Sequence, residues 1–125
     1  MLAGVGVDII EVPRINLAIR RWGDRFLKRV FTTAERDYCM RKAFPEQSLA
    51  ARFAAKEAVL KAMGTGLSSG IGWTEVEIVN RESGKPEVKL GKKTLERIGS
   101  KRILISISHT KGFAIASAIL LEGPD

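Results

Sequence analysis

The chain has 125 residues, 45% of them hydrophobic and 28% charged, and its formal net charge is +7. This length predicts one compact domain over residues 1–125, with a core large enough to need no disulfide. The single cysteine excludes a disulfide framework within the chain and suits a reducing compartment, so we expect a cytoplasmic protein. We expect no signal peptide and no membrane association, because no apolar run approaches about 18 residues.

The first half of the chain predicts one strand followed by helices. Thr32 and Glu35 form the signature of a capping box, and Gly64 is typical of a residue that ends a helix. Together with the apolar periodicity, these signals predict a strand at 2–10 ending near Asp8, a helix opened by Pro13, a short helix from 32 to about 42, and a long helix from about 46 to 63.

The second half of the chain predicts mostly strands. A glycine-rich segment at 64–72 follows the long helix, and a hairpin surrounds the sequence His109-Thr110-Lys111-Gly112. The predicted elements are strands at 73–80 and 87–90, a short helix at 92–98, and hairpin strands at 102–108 and 113–121. This order predicts an α+β fold, with a mainly antiparallel sheet packed against the long helix.

The two hairpin strands are apolar along nearly their whole length. A strand covered on one face alternates apolar and polar residues, so we expect these strands to be covered on both faces. A domain of this size has few helices, and a neighbouring subunit is the simplest second cover. The alternative is that the long helix of the same chain covers them.

Two acidic residues stand in apolar surroundings in a chain that is otherwise basic. Asp8 lies in the apolar run 4–10, and Glu57 lies in the predicted long helix. Within about 60° of Glu57 on the helical wheel are Ala50, Phe53, Leu60 and Lys61. An unpaired carboxylate costs several kcal/mol to bury, so both acids need partners. Two carboxylates are typical ligands of Mg²⁺; alternatively, Glu57 pairs with Lys61 or Lys56 and Asp8 merely ends a strand.

Two further features are candidates for ligand contacts. Backbone amides of the segment 64–72 can approach a phosphate, although the segment has neither the ending nor the position of a P-loop. His109 and Thr110 supply N–H and O–H donors at a strand end, whereas a serine–histidine–aspartate triad lacks a nucleophile elbow. The alternatives are a flexible connector and an ordinary loop histidine.

The basic residues concentrate in and after the first predicted helix, where acids are nearly absent. Arg14, Arg21 and Arg25 share a face if the helix continues through Gly23, which can also interrupt it. Such a face suits an acidic helix of another protein, with a merely solvated surface as the alternative. Nucleic acid is a further alternative, although the sequence has no helix-turn-helix, zinc-finger or RNP signature.

Two motifs resemble the paired signatures of the 4′-phosphopantetheinyl transferase family: Gly6-Val7-Asp8-Ile9 and the segment 52–61, RFAAKEAVLK. The short length and three further motifs look like the single-domain branch, the bacterial holo-acyl-carrier-protein synthases. These motifs are Phe31-Thr32-x-x-Glu35, Gly64-Thr65-Gly66 and Ile107-Ser108-His109-Thr110. The resemblance covers almost the whole chain.

The resemblance implies an enzyme of fatty acid biosynthesis that transfers phosphopantetheine from coenzyme A to a serine of acyl carrier protein. It implies a Mg²⁺ cofactor and a homotrimer with each active site between neighbouring subunits. The implied site residues are Asp8 and Glu57 on the metal, Lys61 on the pyrophosphate, Gly64, Thr65, Gly66, His109 and Thr110 on coenzyme A, and Arg14, Arg21 and Arg25 on the carrier protein. A small basic nucleic-acid-binding module and a trimeric scaffold are the alternative functions, and neither accounts for the two acids.

Overall fold

The computed structural model describes residues 1–65 and 71–123. Its elements are β1 (Leu2–Glu11), α1 (Val12–Trp22), α2 (Asp24–Val30), α3 (Thr33–Met40), α4 (Pro45–Met63), a 3-10 turn (Trp73–Glu75), β2 (Val76–Asn80), β3 (Pro86–Leu90), α5 (Lys92–Ile98), β4 (Arg102–His109) and β5 (Phe113–Leu121). Within these ranges the strands form two antiparallel sheets, one in the order β1-β5-β4 and one of β2 and β3. Helix α4 packs on the three-stranded sheet, which confirms the predicted α+β fold.

Two details differ from the sequence-based prediction. Gly23 has φ 56° and ψ −133° and separates α1 from α2, so the first predicted helix is interrupted there. Residues Trp73–Glu75 form a 3-10 turn, and the strand predicted from residue 73 begins at Val76. The ranges that the structure describes contain no helix with the length and apolar character of a membrane span.

Helix α4 is buried on almost all sides, as is typical of a helix at the centre of a domain. Pro45 lies in its first turn, and Gly64, at φ 74°, ends it in the left-handed conformation. Between the first turns and the last residue, Met63, one stripe reaches the surface, and it is formed by Phe53, Glu57 and Lys61, each four residues from the next. The stripe around Glu57 is therefore the least buried side of α4, not part of a continuous apolar face as the helical wheel predicted.

Strand β1 approaches α4 with backbone against backbone. A Cβ atom added to Gly6 would lie 2.0 Å from the carbonyl oxygen of Ala58, and one added to Gly4 would lie 2.0 Å from that of Ala62. Only glycine leaves room for this approach. Strand β5 turns Ala114, Ala116, Ala118 and Leu120 toward the same helix, and all four are buried. Small residues on both elements thus bring α4 close to the sheet.

A buried ion pair connects α4 to the elements on its other side. Lys56 is fully buried and pairs with Glu35, which closes the predicted capping box with Thr32 at the start of α3. The other carboxylate oxygen of Glu35 accepts a hydrogen bond from the backbone N–H of Ile78 in β2, at 2.8 Å. Burial lowers the pKa of Lys56, and the charge of Glu35 opposes that shift. These contacts tie α3, α4 and β2 together immediately beside Glu57.

The three-stranded sheet has a second face that the described part of the chain leaves exposed. The exposed apolar side chains on that face are Val5, Val7 and Ile9 of β1, Leu104 of β4, and Phe113 and Ile115 of β5. The prediction that the hairpin strands are covered on both faces is therefore correct only for the face that packs against α4. Isolated exposed apolar residues are ordinary, but a contiguous face of this kind marks an interaction surface.

We predict that Gly6→Ala lowers the free energy of unfolding by about 3 kcal/mol or more, because the added methyl group overpacks the contact with Ala58. Urea unfolding followed by circular dichroism measures the change. Gly72→Ala is the matched control, since Gly72 has extended backbone and, among the described residues, no heavy atom lies within 4 Å of the point where an added Cβ would sit. Equal stability of the two variants would contradict the backbone contact.

Candidate active site

Asp8, Glu57 and Lys61 come together where β1 crosses α4. The alternation along β1 turns Gly4, Gly6 and Asp8 toward the helix, while Glu57 and Lys61 lie one turn apart on its surface stripe. The Nζ atom of Lys61 donates hydrogen bonds to Oδ1 of Asp8 and to the backbone carbonyl of Val7, both at 3.0 Å. The glycines that let the backbones meet therefore also place Asp8 beside the two helical residues.

Glu57 is a half-buried carboxylate with no hydrogen bond or ion pair to any residue in 1–65 or 71–123. The alternative pairing with Lys56 or Lys61 is wrong, since Lys56 pairs with Glu35 and Lys61 pairs with Asp8. Burial raises the pKa of Glu57, the charge of Asp8 raises it further, and Lys61 opposes both. The electrostatics therefore indicate two acids close enough to repel each other.

The two carboxylates fit a hard divalent cation. They supply oxygen ligands. The charge of Asp8 raises the pKa of Glu57 because the two carboxylates repel each other, and a shared cation would relieve that repulsion. In the part of the chain that is described, no group of three or more His, Cys, Asp or Glu residues could hold a metal. A site with two protein carboxylates leaves further positions for water and phosphate oxygens, as Mg²⁺ requires.

The other predicted site residues divide into two groups. Gly64 and Thr65 follow Lys61 closely at the end of α4, and Gly66 lies outside the described residues. His109 lies instead at the end of β4, which is the opposite edge of the sheet from β1. Thr110 stabilises the hairpin turn, because its Oγ1 accepts hydrogen bonds from the backbone N–H groups of Gly112 and Phe113.

His109 lines a cleft of about 420 Å³ on the far flank of α4. Arg52 lies in the same cleft and stands about 140° around the helix from Glu57, at 100° per residue. Two strand spacings, about 10 Å, also separate β1 from β4. The structure thus brings Asp8, Glu57 and Lys61 together and keeps His109 apart from them within one chain.

Sequence reasoning missed Arg52 as a functional candidate. This arginine is 5% exposed, donates to Oδ1 of Asn80 at 2.5 Å, and stacks its guanidinium 4.1 Å from the ring centre of Tyr38. Its Nε is buried without a hydrogen-bond partner among the described residues. The available signal was a charged residue among the alanines of a buried helix, four residues before the buried Lys56.

The predicted basic face is divided by the break at Gly23. Arg14 and Arg21 lie on α1, and Arg25 lies on the separate helix α2, so the three do not share one continuous helix face. All three side chains are exposed. Arg14 and Arg21, seven residues apart on α1, stay on one side of the helix.

Comparison with known proteins identifies the family. A family model described as the 4′-phosphopantetheinyl transferase superfamily matches residues 4–118. The holo-[acyl-carrier-protein] synthase of Protochlamydia amoebophila is 50% identical over 119 residues, which cover 95% of this chain and 98% of that protein. The similarity therefore extends over nearly the whole of both sequences.

Two solved structures share the fold. The holo-[acyl-carrier-protein] synthase from Neisseria meningitidis matches with a TM-score of 0.90 at 33% identity, covering 98% of this chain and 100% of that one. The Helicobacter pylori synthase, crystallised in complex with coenzyme A, matches with a TM-score of 0.84 at 30% identity, covering 93% and 98%. As its motifs predicted, the chain belongs to the 4′-phosphopantetheinyl transferase superfamily, within the group of holo-[acyl-carrier-protein] synthases.

Proposed function

We propose that this protein transfers the 4′-phosphopantetheine group of coenzyme A to a serine of an apo-acyl carrier protein in fatty acid biosynthesis, with Mg²⁺ held by Asp8 and Glu57. The observation that carries this proposal is the convergence of Asp8, Glu57 and Lys61 on one flank of α4. Coenzyme A in the Helicobacter pylori relative supports the choice of donor. The products are the holo-carrier and adenosine 3′,5′-bisphosphate.

The reaction is an in-line phosphoryl transfer. The serine oxygen attacks the β-phosphorus, which bears pantetheine, and the bond from that phosphorus to the bridging oxygen breaks as adenosine 3′,5′-bisphosphate leaves. When bound, the cation would offset charge on the pyrophosphate oxygens. Lys61 adds a positive charge on the same side. We assign the serine proton to Glu57, the carboxylate of this site that makes no ion pair among the described residues.

We propose that each active site lies between two subunits of a homotrimer. His109 and Arg52 line a cleft on one flank of α4, whereas Asp8, Glu57 and Lys61 lie on the other. Cationic and N–H donors suit the phosphates of the nucleotide end of coenzyme A. The exposed apolar face of the sheet is the surface that a neighbouring subunit would cover, and the cleft of that subunit would then complete the site.

The carrier protein would dock on the exposed arginines of α1 and α2. Acyl carrier proteins are acidic, and Arg14, Arg21 and Arg25 offer guanidinium groups for their carboxylates. Charge complementarity of this kind mainly raises the rate of association and selects the partner. A function in nucleic-acid binding would use the same charge but has no role for Asp8 and Glu57.

Mass spectrometry tests the proposed activity directly. An apo-acyl carrier protein incubated with this protein, coenzyme A and Mg²⁺ should gain the mass of one phosphopantetheine group. The same carrier with its acceptor serine changed to alanine is the control and should gain nothing. Nucleic-acid binding without any mass gain would favour the alternative function.

Glu57→Gln should abolish transfer, because the amide keeps the shape of the side chain but loses the charge that holds Mg²⁺. The folded-state pKa of Glu57 is raised, so its ionised form costs stability above the unfolded pKa, and the cost disappears as the pH falls through both values. In the absence of divalent cations, the melting temperature of the variant should therefore equal or exceed the wild-type value at pH 7. That difference should vanish below about pH 4. Full activity at saturating Mg²⁺ would refute the metal-ligand role.

Reversing Arg14 and Arg21 to Glu should raise KM for the carrier protein by about tenfold or more and leave the affinity for coenzyme A nearly unchanged. Steady-state kinetics with each substrate varied measures both. The wild-type KM should also climb with salt, because exposed charges are screened. Reversal of Lys92 and Lys93, two exposed residues of α5, is the matched control. A parallel loss of coenzyme A affinity would make the arginines a cofactor site.

Subunit mixing tests the shared site. Asp8 and Glu57 meet within one chain, so mixing inactive Asp8→Asn and Glu57→Gln proteins after dissociation should restore no activity. Mixing Glu57→Gln with His109→Ala should restore some activity, because sites with both wild-type residues form in mixed trimers. Sedimentation equilibrium gives the assembly mass independently. A fully active monomer at micromolar concentration would exclude a shared site.

A further inference from the structure

The contact between Lys61 and Asp8 bears on how the metal site is filled. Lys61 is 51% exposed at its side chain, whereas Asp8 is only 16% exposed. The Nζ atom lies 3.0 Å from Oδ1 of Asp8 and 3.0 Å from the carbonyl oxygen of Val7. An ammonium group at this distance occupies one of the two carboxylate oxygens of Asp8 that a divalent cation could use as ligands.

The second carboxylate of the site feels the charge of Lys61 but has no direct ion pair with it. Glu57 makes no ion pair within the described ranges, and Asp8 repels its charge. The ammonium group of Lys61 is thus engaged by Asp8 instead of being free for a phosphate. A bare cation that approaches the pair must displace this ammonium or share Asp8 with it, and like charges oppose both.

We propose that Lys61 is a resident counter-cation of Asp8, so that a divalent cation binds tightly only together with a pyrophosphate-bearing ligand that draws Lys61 away. This inference rests on the proposed function, because it uses the same pair of carboxylates as the metal site. Lys61 is suited to such an exchange: its stem is long and flexible, its head is half exposed, and an ion pair this close to solvent is weak.

The consequence is a coupling between the two ligands. Coenzyme A offers Lys61 new oxygen partners, which frees Asp8 for the cation, and the cation in turn favours the position of Lys61 that coenzyme A needs. Linkage requires the two effects to be equal in free energy. The lysine therefore acts twice, first as a substitute for the metal in the free enzyme and then as a contact of the donor substrate.

The test is Mn²⁺ affinity of the ligand-free enzyme, measured by isothermal titration calorimetry and by the electron paramagnetic resonance of free Mn²⁺. Lys61→Met should bind Mn²⁺ about 5- to 50-fold more tightly than wild type, since a positive charge within a few ångströms is removed. Lys61→Arg keeps the charge and should bind as weakly as wild type. Lys89→Met is the matched control for net charge, because Lys89 is exposed on β3 in the separate sheet.

The outcomes separate the inference from the proposed function. If Lys61→Met binds Mn²⁺ no better than wild type, or less well, Lys61 does not compete for Asp8 and the inference is overturned. Wild type with coenzyme A should bind one Mn²⁺ per chain, and Glu57→Gln should not. If that binding is absent, or survives Glu57→Gln, the metal site itself is wrong and the inference falls with it.

Discussion

The site depends on one contact, the close approach of the β1 backbone to helix α4. Gly4 and Gly6 leave no side chain between the strand and the carbonyl oxygens of Ala62 and Ala58. Since side chains alternate along a strand, the next residue on that face is Asp8, and it meets the helix at the level of Glu57 and Lys61. A larger residue in place of either glycine would push the strand outward and carry the carboxylate with it. The two glycines therefore determine the position of the Asp8 carboxylate in the site.

Helix α4 is held from its other side by a different interaction. Lys56 points inward to the carboxylate of Glu35, while Glu57, about 100° further around the helix, points to the surface. Removing one member of such a buried pair leaves an uncompensated charge, which costs several kcal/mol. The buried pair of Lys56 therefore fixes the rotation of the helix about its axis, and that rotation places Glu57 toward Asp8.

The sequence correctly predicted the features of the fold that depend on short-range patterns. The capping box at Thr32, the end of α4 at Gly64 and the apolar hairpin are short-range signals, and the structure contains each of them. The motifs also pointed to Asp8, Glu57 and Lys61, which the fold brings together.

The remaining features depend on tertiary contacts that no local pattern contains. Lys56 and Glu35 are 21 residues apart, and nothing near either one shows that they pair. The helical wheel assumed one buried face, whereas α4 is covered nearly all round, so its charged stripe is the exposed side. The separation of His109 from the carboxylates follows from the strand order β1-β5-β4, in which β5, the last strand in the chain, lies between them.

The most direct test of this account asks whether Asp8 and Glu57 of one chain share a single cation. Mn²⁺ broadens the nuclear magnetic resonance signals of nearby atoms, and ¹⁵N-labelled protein with coenzyme A present reports each backbone amide. We expect the amides around Asp8 in β1 and around Glu57 in α4 to broaden together at one Mn²⁺ per chain, and neither to broaden in the Glu57→Gln protein. Broadening at only one of the two elements, or broadening around Asp8 that persists without the Glu57 carboxylate, would contradict the shared site.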